Sequence, residues 1–173
     1  TYMVTGDKDS GQLVNDCTKI YNPGKNEIMG VEEVKEKYGL TDPIQVIDLL
    51  GLMGDSADNI PGCPGVGEKT AQKLIAQFGS IENLLNNTDQ LKGALKKKVE
   101  ENVEQIRFSR FLATIKTDVP VEVELAELAL SKELDSQIIS LIEFYELRSL
   151  SKTVSSIWKI NEGGDIFSAQ AQI

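Results

Sequence analysis

Four aspartates pose the first chemical question. Asp7 and Asp9 lie two apart, just after the apolar run Tyr2-Met3-Val4-Thr5. If that run is a strand, alternate residues share a side, and both carboxylates converge at its C-terminal edge, where open α/β sheets bind ligands. Asp55 and Asp58 lie three apart, a spacing that puts them on one face of a helical turn. Hard cations such as Mg²⁺ take oxygen ligands of this kind. Two such ions, held about 3.5–4 Å apart, activate a water and stabilise the leaving oxygen in phosphodiester cleavage. Each pair alone also has a plainer explanation, since Asp is a common turn residue and acids collect at helix N-termini. The 173 residues contain no histidine. A Cys/His nucleophile or a His-based zinc site is therefore excluded, and acid–base or metal chemistry falls to carboxylates, Lys, Tyr or water. Cys17 and Cys63 have no partners at metal-ligand spacing and read as reduced thiols of a cytosolic protein.

A second candidate is the run Pro61-Gly62-Cys63-Pro64-Gly65-Val66-Gly67-Glu68-Lys69-Thr70-Ala71, with two prolines and three glycines in its first seven residues. Such density demands tight turns and close backbone approach. The run is not a nucleotide-binding P-loop, because Glu68 stands where that loop needs lysine. The better reading is a hairpin between two helices. Its free backbone N–H groups and the N-terminus of the following helix make an anion site suited to a DNA backbone phosphate. Lys69 and Lys73 share one face of that helix, with Thr70 beside them, and fit phosphate contacts.

Net charge is −9, which at first argues against a nucleic-acid partner. The distribution argues otherwise. Residues 1–66 carry a net of −6, residues 67–116 a net of +3, and residues 117–173 a net of −6. The only basic segment is central. It includes Lys92, Lys96, Lys97, Lys98, Arg107 and Arg110. This pattern allows an acidic metal site beside a basic platform, with salt-dependent and sequence-independent binding.

The elements that must position these groups can be read from the pattern. Tyr2 to Thr5 is a strand and Gln12 to Val14 a helical turn. Lys19 to Tyr21 and Glu27 to Met29 are short strands around the turn Asn22-Pro23-Gly24-Lys25. Val31 to Tyr38 is a helix stopped by Gly39. Thr41 caps a helix from about Pro43 to Leu52. Further helices are expected at 68–77, at 81–85 behind a Ser80 cap, at 91–104 and at 106–116. Pro120 to Leu125 alternates as a strand would. A helix from Ser131 to Tyr145 should bury Leu134, Ile138, Leu141, Ile142 and Tyr145. A last helix spans 149–160, and 161–173 reads as a linker or frayed end. No apolar run approaches the roughly 18 residues of a membrane span, and no signal peptide is expected at the start.

Together these pieces resemble the 5′ nuclease and flap endonuclease family, most closely the N-terminal 5′→3′ exonuclease domain of bacterial DNA polymerase I. The resemblance is carried by Thr5-Gly6-Asp7-Lys8-Asp9 with Gln12-Leu13-Val14, and by Met53-Gly54-Asp55-Ser56-Ala57-Asp58-Asn59-Ile60-Pro61-Gly62. It continues through Gly65-Val66-Gly67-Glu68-Lys69-Thr70-Ala71 and Phe78-Gly79-Ser80-Ile81-Glu82-Asn83-Leu84-Leu85, and ends at Phe144-Tyr145-Glu146-Leu147-Arg148-Ser149-Leu150.

It implies a mixed α/β, mostly helical fold: a remnant of a parallel nuclease sheet at 1–50, a helix-hairpin-helix (helix-three-turn-helix) clamp at 51–118, a helical subdomain at 119–160 and a tail at 161–173. It implies that Asp7, Asp9, Asp55 and Asp58 bind Mg²⁺ or Mn²⁺, and that the hairpin holds a K⁺ ion. Gly62, Gly65, Val66, Gly67, Lys69, Thr70 and Lys73 would contact DNA. The substrate would be duplex or branched DNA with a 5′ end or flap, and the partner the polymerase domains of the same polypeptide. A non-catalytic DNA-binding module and a stand-alone flap endonuclease are the alternatives. One departure is expected to matter. The family's earlier α/β region, with its Glu-x-Asp-Asp cluster and further aspartates, has no counterpart in this sequence. The chain should therefore hold DNA but cleave it weakly or not at all, and the edge at Tyr2 to Thr5 should lack sheet partners.

Overall fold

The computed structural model describes residues 1–129 and 136–158. The chain divides into two units, Thr1–Val119 and Pro120–Ile173.

The first unit opens with β1 (Tyr2–Val4), β2 (Lys19–Asn22) and β3 (Glu27–Met29) in the order β1-β2-β3. β1 pairs parallel with β2, placing Met3 against Ile20, while β2 pairs antiparallel with β3, placing Ile20 against Met29. The expected parallel pairing is thus present, but the second is antiparallel. The Pro23–Asn26 turn is far too short for the crossover a parallel pair needs. The outer side of the small sheet leaves Tyr2 and Val4 mostly exposed.

Six helices follow in this unit: α1 (Val31–Tyr38), α2 (Val46–Met53), α3 (Glu68–Phe78), α4 (Ile81–Asn86), α5 (Gly93–Glu101) and α6 (Val103–Ala113). Every residue of α2 from Val46 to Leu52 is buried, so it is the central rod of the core. Gly51 lets α6 lie against it. A Cβ there would come within 2.9 Å of the Arg110 backbone and of Ile81 Cδ1. Asp48, the one charged residue of α2, is buried and accepts a 2.7 Å hydrogen bond from Arg110 Nε. α3 contributes Ala71, Leu74, Ile75 and Phe78 to the same core, and α4 adds Ile81 and Leu84. Burial of each large aliphatic side chain is worth about 1.5–3 kcal/mol.

Three local expectations change. Asp42, not Thr41, caps the turn before α2: its carboxylate accepts from the Ile44 amide, while the Thr41 amide and hydroxyl donate to Gln45 Oε1. The break between α5 and α6 falls at Asn102, whose φ of −123° and ψ of 24° leave the helical region. The anticipated boundary at 50/51 lies inside α2, so the sheet and the helices share one core.

In the second unit, residues 120–124 form no strand, and Leu125–Leu128 is a 3-10 helix. The alternating Val121 and Val123 are exposed; among the described residues no strand lies beside them to make that alternation a sheet. The described helices are α7 (Ser136–Phe144) and α8 (Arg148–Trp158). Of the face expected to be buried, Ile142 is enclosed, but Ile138, Leu141 and Tyr145 are exposed. Leu134, the Ser131 helix start and the tail at 161–173 lie outside the described residues.

Gln12 ties the two ends of the first unit together. It is buried, donates to the carbonyls of Asp9 and Ala113, and accepts from the Ile115 amide. Replacing it with Ala leaves those buried backbone groups unpaired. Gln12→Ala should therefore cost about 2–3 kcal/mol of stability, read as a fall in the urea midpoint at unchanged slope. A cost within about 0.5 kcal/mol would show that the tie contributes nothing.

Candidate functional site

Asp9, Asp55 and Asp58 come together. One carboxylate oxygen from each lies within 4.8 Å of the others. β1 ends at Val4, so Asp7 and Asp9 are not strand residues. Asp9 instead begins a 3-10 helix, Asp9–Leu13. Asp7 stays on the surface outside the three-carboxylate group, and its Oδ1 accepts from the Asp9 amide, which fixes the turn. Asp55 and Asp58 sit in a turn, not a helix, that closes on itself. The Asp55 amide donates to the Ile60 carbonyl and the Ile60 amide to the Asp55 carbonyl. Asn59 takes the left-handed conformation that this tight return requires.

Electrostatics distinguish Asp9 from Asp55. Burial, followed by repulsion from Asp7, Asp55 and Asp58, pushes the Asp9 carboxyl above its ordinary value of 3.8. For Asp55, burial acts upward too, but the Lys8 ammonium and the Ala57 amide outweigh it and hold the carboxyl below the ordinary value. Lys8 Nζ lies 2.5 Å from Asp55 Oδ2. Asp9 Oδ1 is buried and has no hydrogen-bond partner. A carboxylate with an unpaired, buried oxygen, grouped with two further carboxylates, fits a divalent cation, whose charge would satisfy all three. Neither Lys8 nor Gln12 was assigned a role from the sequence; the position of Lys8 between two aspartates was the signal.

The glycine run forms the connection between α2 and α3. Gly62 turns with a φ of +63°, and a Cβ there would strike the backbone of Met53 and Gly54. Its amide donates to Ser109 Oγ and its carbonyl accepts from Gln105 Nε2. Both of its polar groups are thus spent on α6. Val66 is buried, and its amide donates to the Cys63 carbonyl. The amides of these two expected DNA contacts are thus engaged within the chain. Gly65 and Gly67 are exposed, and among the described residues the amides of Gly65, Gly67, Glu68 and Lys69 have no hydrogen-bond partner. Lys69 and Lys73 are exposed on α3, Thr70 is half-buried, and among the described residues neither lysine is in an ion pair.

The basic segment is partly spent. Arg110 pairs with Asp48, Arg107 with Glu82 and Glu104, Lys96 with Glu100 and Lys97 with Glu101. Among the described residues Lys92 and Lys98 are in no ion pair, and the Lys98 ammonium lies over Gly65, on the hairpin. Cys17 and Cys63 are free thiols, the second buried. Among the described residues, no helix is long and apolar enough to cross a membrane.

Two outcomes follow. Gly62→Ala combines a left-handed φ with a backbone collision and should cost about 2–4 kcal/mol; an unchanged melting temperature would show that the loop tolerates a Cβ. The raised pKa of Asp9 sets a pH dependence. Folding favours its protonated form, so its contribution is complete below the ordinary carboxylate value and is lost as pH rises through the folded value. In chelator at pH 7, Asp9→Asn should be about 0.5–1 kcal/mol more stable than the parent. That gain should vanish on acidification below the carboxylate range. A less stable Asn variant at pH 7 would contradict the repulsion.

Comparison with known proteins identifies the family and the fold. The family described as the 5′-3′ exonuclease, C-terminal SAM fold, matches residues 41–136. DNA polymerase I of Bacillus subtilis (strain 168) is 49% identical over 146 residues, which cover 82% of this chain and 16% of that protein. The 5′-3′ exonuclease of Buchnera aphidicola subsp. Schizaphis graminum is 38% identical over 150 residues, 83% of this chain and 52% of that protein. The chain thus spans about a sixth of the polymerase and about half of the exonuclease. Among solved structures, T5 5′-exonuclease with bound zinc has a TM-score of 0.58 at 24% identity, covering 65% of this chain and 42% of that one, a likeness of fold. The chain belongs to the 5′-3′ exonuclease family and carries its C-terminal SAM fold.

Proposed function

We propose that this chain is the DNA-holding part of a 5′→3′ exonuclease and flap endonuclease domain of a DNA polymerase I, and that it supplies part of a divalent-metal site. The observation that carries the reading is the three-carboxylate group at Asp9, Asp55 and Asp58, joined by one loop to a hairpin with unpartnered amides. Asp9, Asp55 and Asp58 would hold Mg²⁺ or Mn²⁺, with Asp7 at the rim acting through water. A bound metal of this kind would polarise a phosphodiester and lower the pKa of a water.

The chain's own residues do the holding. The amides of Gly65, Gly67, Glu68 and Lys69 point at a backbone phosphate, aided by the positive end of α3. The Lys69 and Lys73 ammonium groups add charge along the same helix. The hairpin carbonyls offer oxygen ligands for K⁺. Contacts of this type read backbone shape, not base sequence, which suits a 5′ end or flap on branched duplex DNA. The neighbouring T5 D15 flap endonuclease is described in a pseudo-enzyme-product complex with DNA and metal ions, which supports this partner. Polymerase domains in the same polypeptide fit the length of the DNA polymerase I relatives. The Buchnera exonuclease favours a second reading, a nuclease without a polymerase.

A 5′-labelled flap duplex incubated with and without Mn²⁺ tests both binding and cleavage. Binding should weaken steeply with salt, and Lys69→Ala should reduce the slope of log K against log salt by about one. Little or no cutting is expected from this chain alone. Salt-independent binding would remove the phosphate reading. Efficient metal-dependent cutting would show that the aspartates of this chain suffice.

A further inference from the structure

We propose that Lys8 is the resident counter-ion of the acidic group, occupying Asp55 until a divalent cation displaces it, and that this exchange sets the affinity and valence selectivity of the site. The proposal rests on reading Asp9, Asp55 and Asp58 as a cation site.

The two partners of the ion pair differ in freedom. Asp55 is fixed: its side chain is 3% exposed, its Oδ1 accepts from the Ala57 amide, and its backbone is bridged to Ile60 in both directions. The Lys8 side chain is 41% exposed. Its backbone is held by the hydrogen bond from the Gly11 amide to its carbonyl, so the ammonium can swing into water without moving the turn that carries Asp9. The neighbouring acids reinforce its position, since Asp9 and Asp58 also attract the Lys8 charge. Yet one ammonium leaves three carboxylates under-neutralised, and Asp9 Oδ1 stays unpaired.

Charge arithmetic then favours one kind of visitor. A monovalent ion that displaces Lys8 exchanges one positive charge for another and must beat a tethered competitor at high effective concentration. A divalent ion adds net charge to the group and engages oxygens that the ammonium does not reach. Lys8 therefore weakens all cation binding but weakens monovalent binding more. A permanent strut between the turn at 7–9 and the loop at 54–60 would behave in the opposite way, since removing it would loosen the ligands and weaken metal binding.

The test is a titration of chelator-stripped protein with MnCl₂, following free Mn²⁺ by electron paramagnetic resonance, for the parent, Lys8→Met and Lys8→Arg. Lys8→Met should bind Mn²⁺ about fivefold more tightly, the scale of one partly exposed ion pair. Lys8→Arg, which keeps the charge, should resemble the parent. Added NaCl should compete with Mn²⁺ more strongly in Lys8→Met. The metal-free melting temperature of Lys8→Met should fall while its rise on adding Mn²⁺ grows. If Lys8→Met is unfolded without metal, Lys8→Gln carries the same comparison. Unchanged or weaker Mn²⁺ binding in the neutral variants, with normal binding by the parent, overturns the proposal and leaves the metal site standing. Absence of Mn²⁺ binding in every protein overturns both.

Discussion

The loop that crosses the end of α2 is the constraint on which both candidate sites depend. At Gly54 and Gly62 two stretches of backbone touch with no room for a side chain on either. The contact is locked from below, where Gly62 gives its amide to Ser109 and its carbonyl to Gln105 on α6. On one side of this crossing the chain turns through Asp55 and Asp58. On the other it enters the hairpin and α3. A single backbone contact therefore spaces the acidic group and the unpartnered hairpin amides along the same connection.

Burial on α2 makes that crossing possible. A helix whose residues from Val46 to Leu52 are all enclosed cannot shift without opening the core on several sides. Gly51 brings α6 close, and the Asp48–Arg110 pair fixes its rotation. Gln12 adds the remaining tie, linking the Asp9 turn to the end of α6. The acids are thus presented from a rigid frame although they lie in turns. A site of three carboxylates needs that rigidity, because repulsion alone would spread them apart. Rigidity also explains the electrostatic division of labour. Asp55 is satisfied by Lys8 and backbone amides, whereas Asp9 is left with an unpaired oxygen. The hairpin differs in character, since its functional groups are amides at a helix start and need no side-chain placement.

Much of this was legible from sequence by itself. β2, β3, α1 and α3 follow from local signals: alternation, turn residues, and a glycine stop after Tyr38. The glycine density predicted a tight connection between two helices, and the failed P-loop pattern at Glu68 directed the reading towards backbone phosphate. Residue types excluded histidine chemistry outright. Only the tertiary structure decided the rest. It brought Asp9 across 46 positions of sequence to Asp55 and left Asp7 at the rim, because strand length, which sequence bounds poorly, ends β1 before the acids. It spent Arg107, Arg110, Lys96 and Lys97 on ion pairs, while among the described residues Lys69 and Lys73 have none. It engaged the Gly62 and Val66 amides within the chain, and it exposed most of the described part of the face that periodicity marked as core. Periodicity and spacing report what a residue offers to its own helix or turn. Which partner accepts that offer depends on contacts between segments distant in the chain, and those exist only once the core has closed.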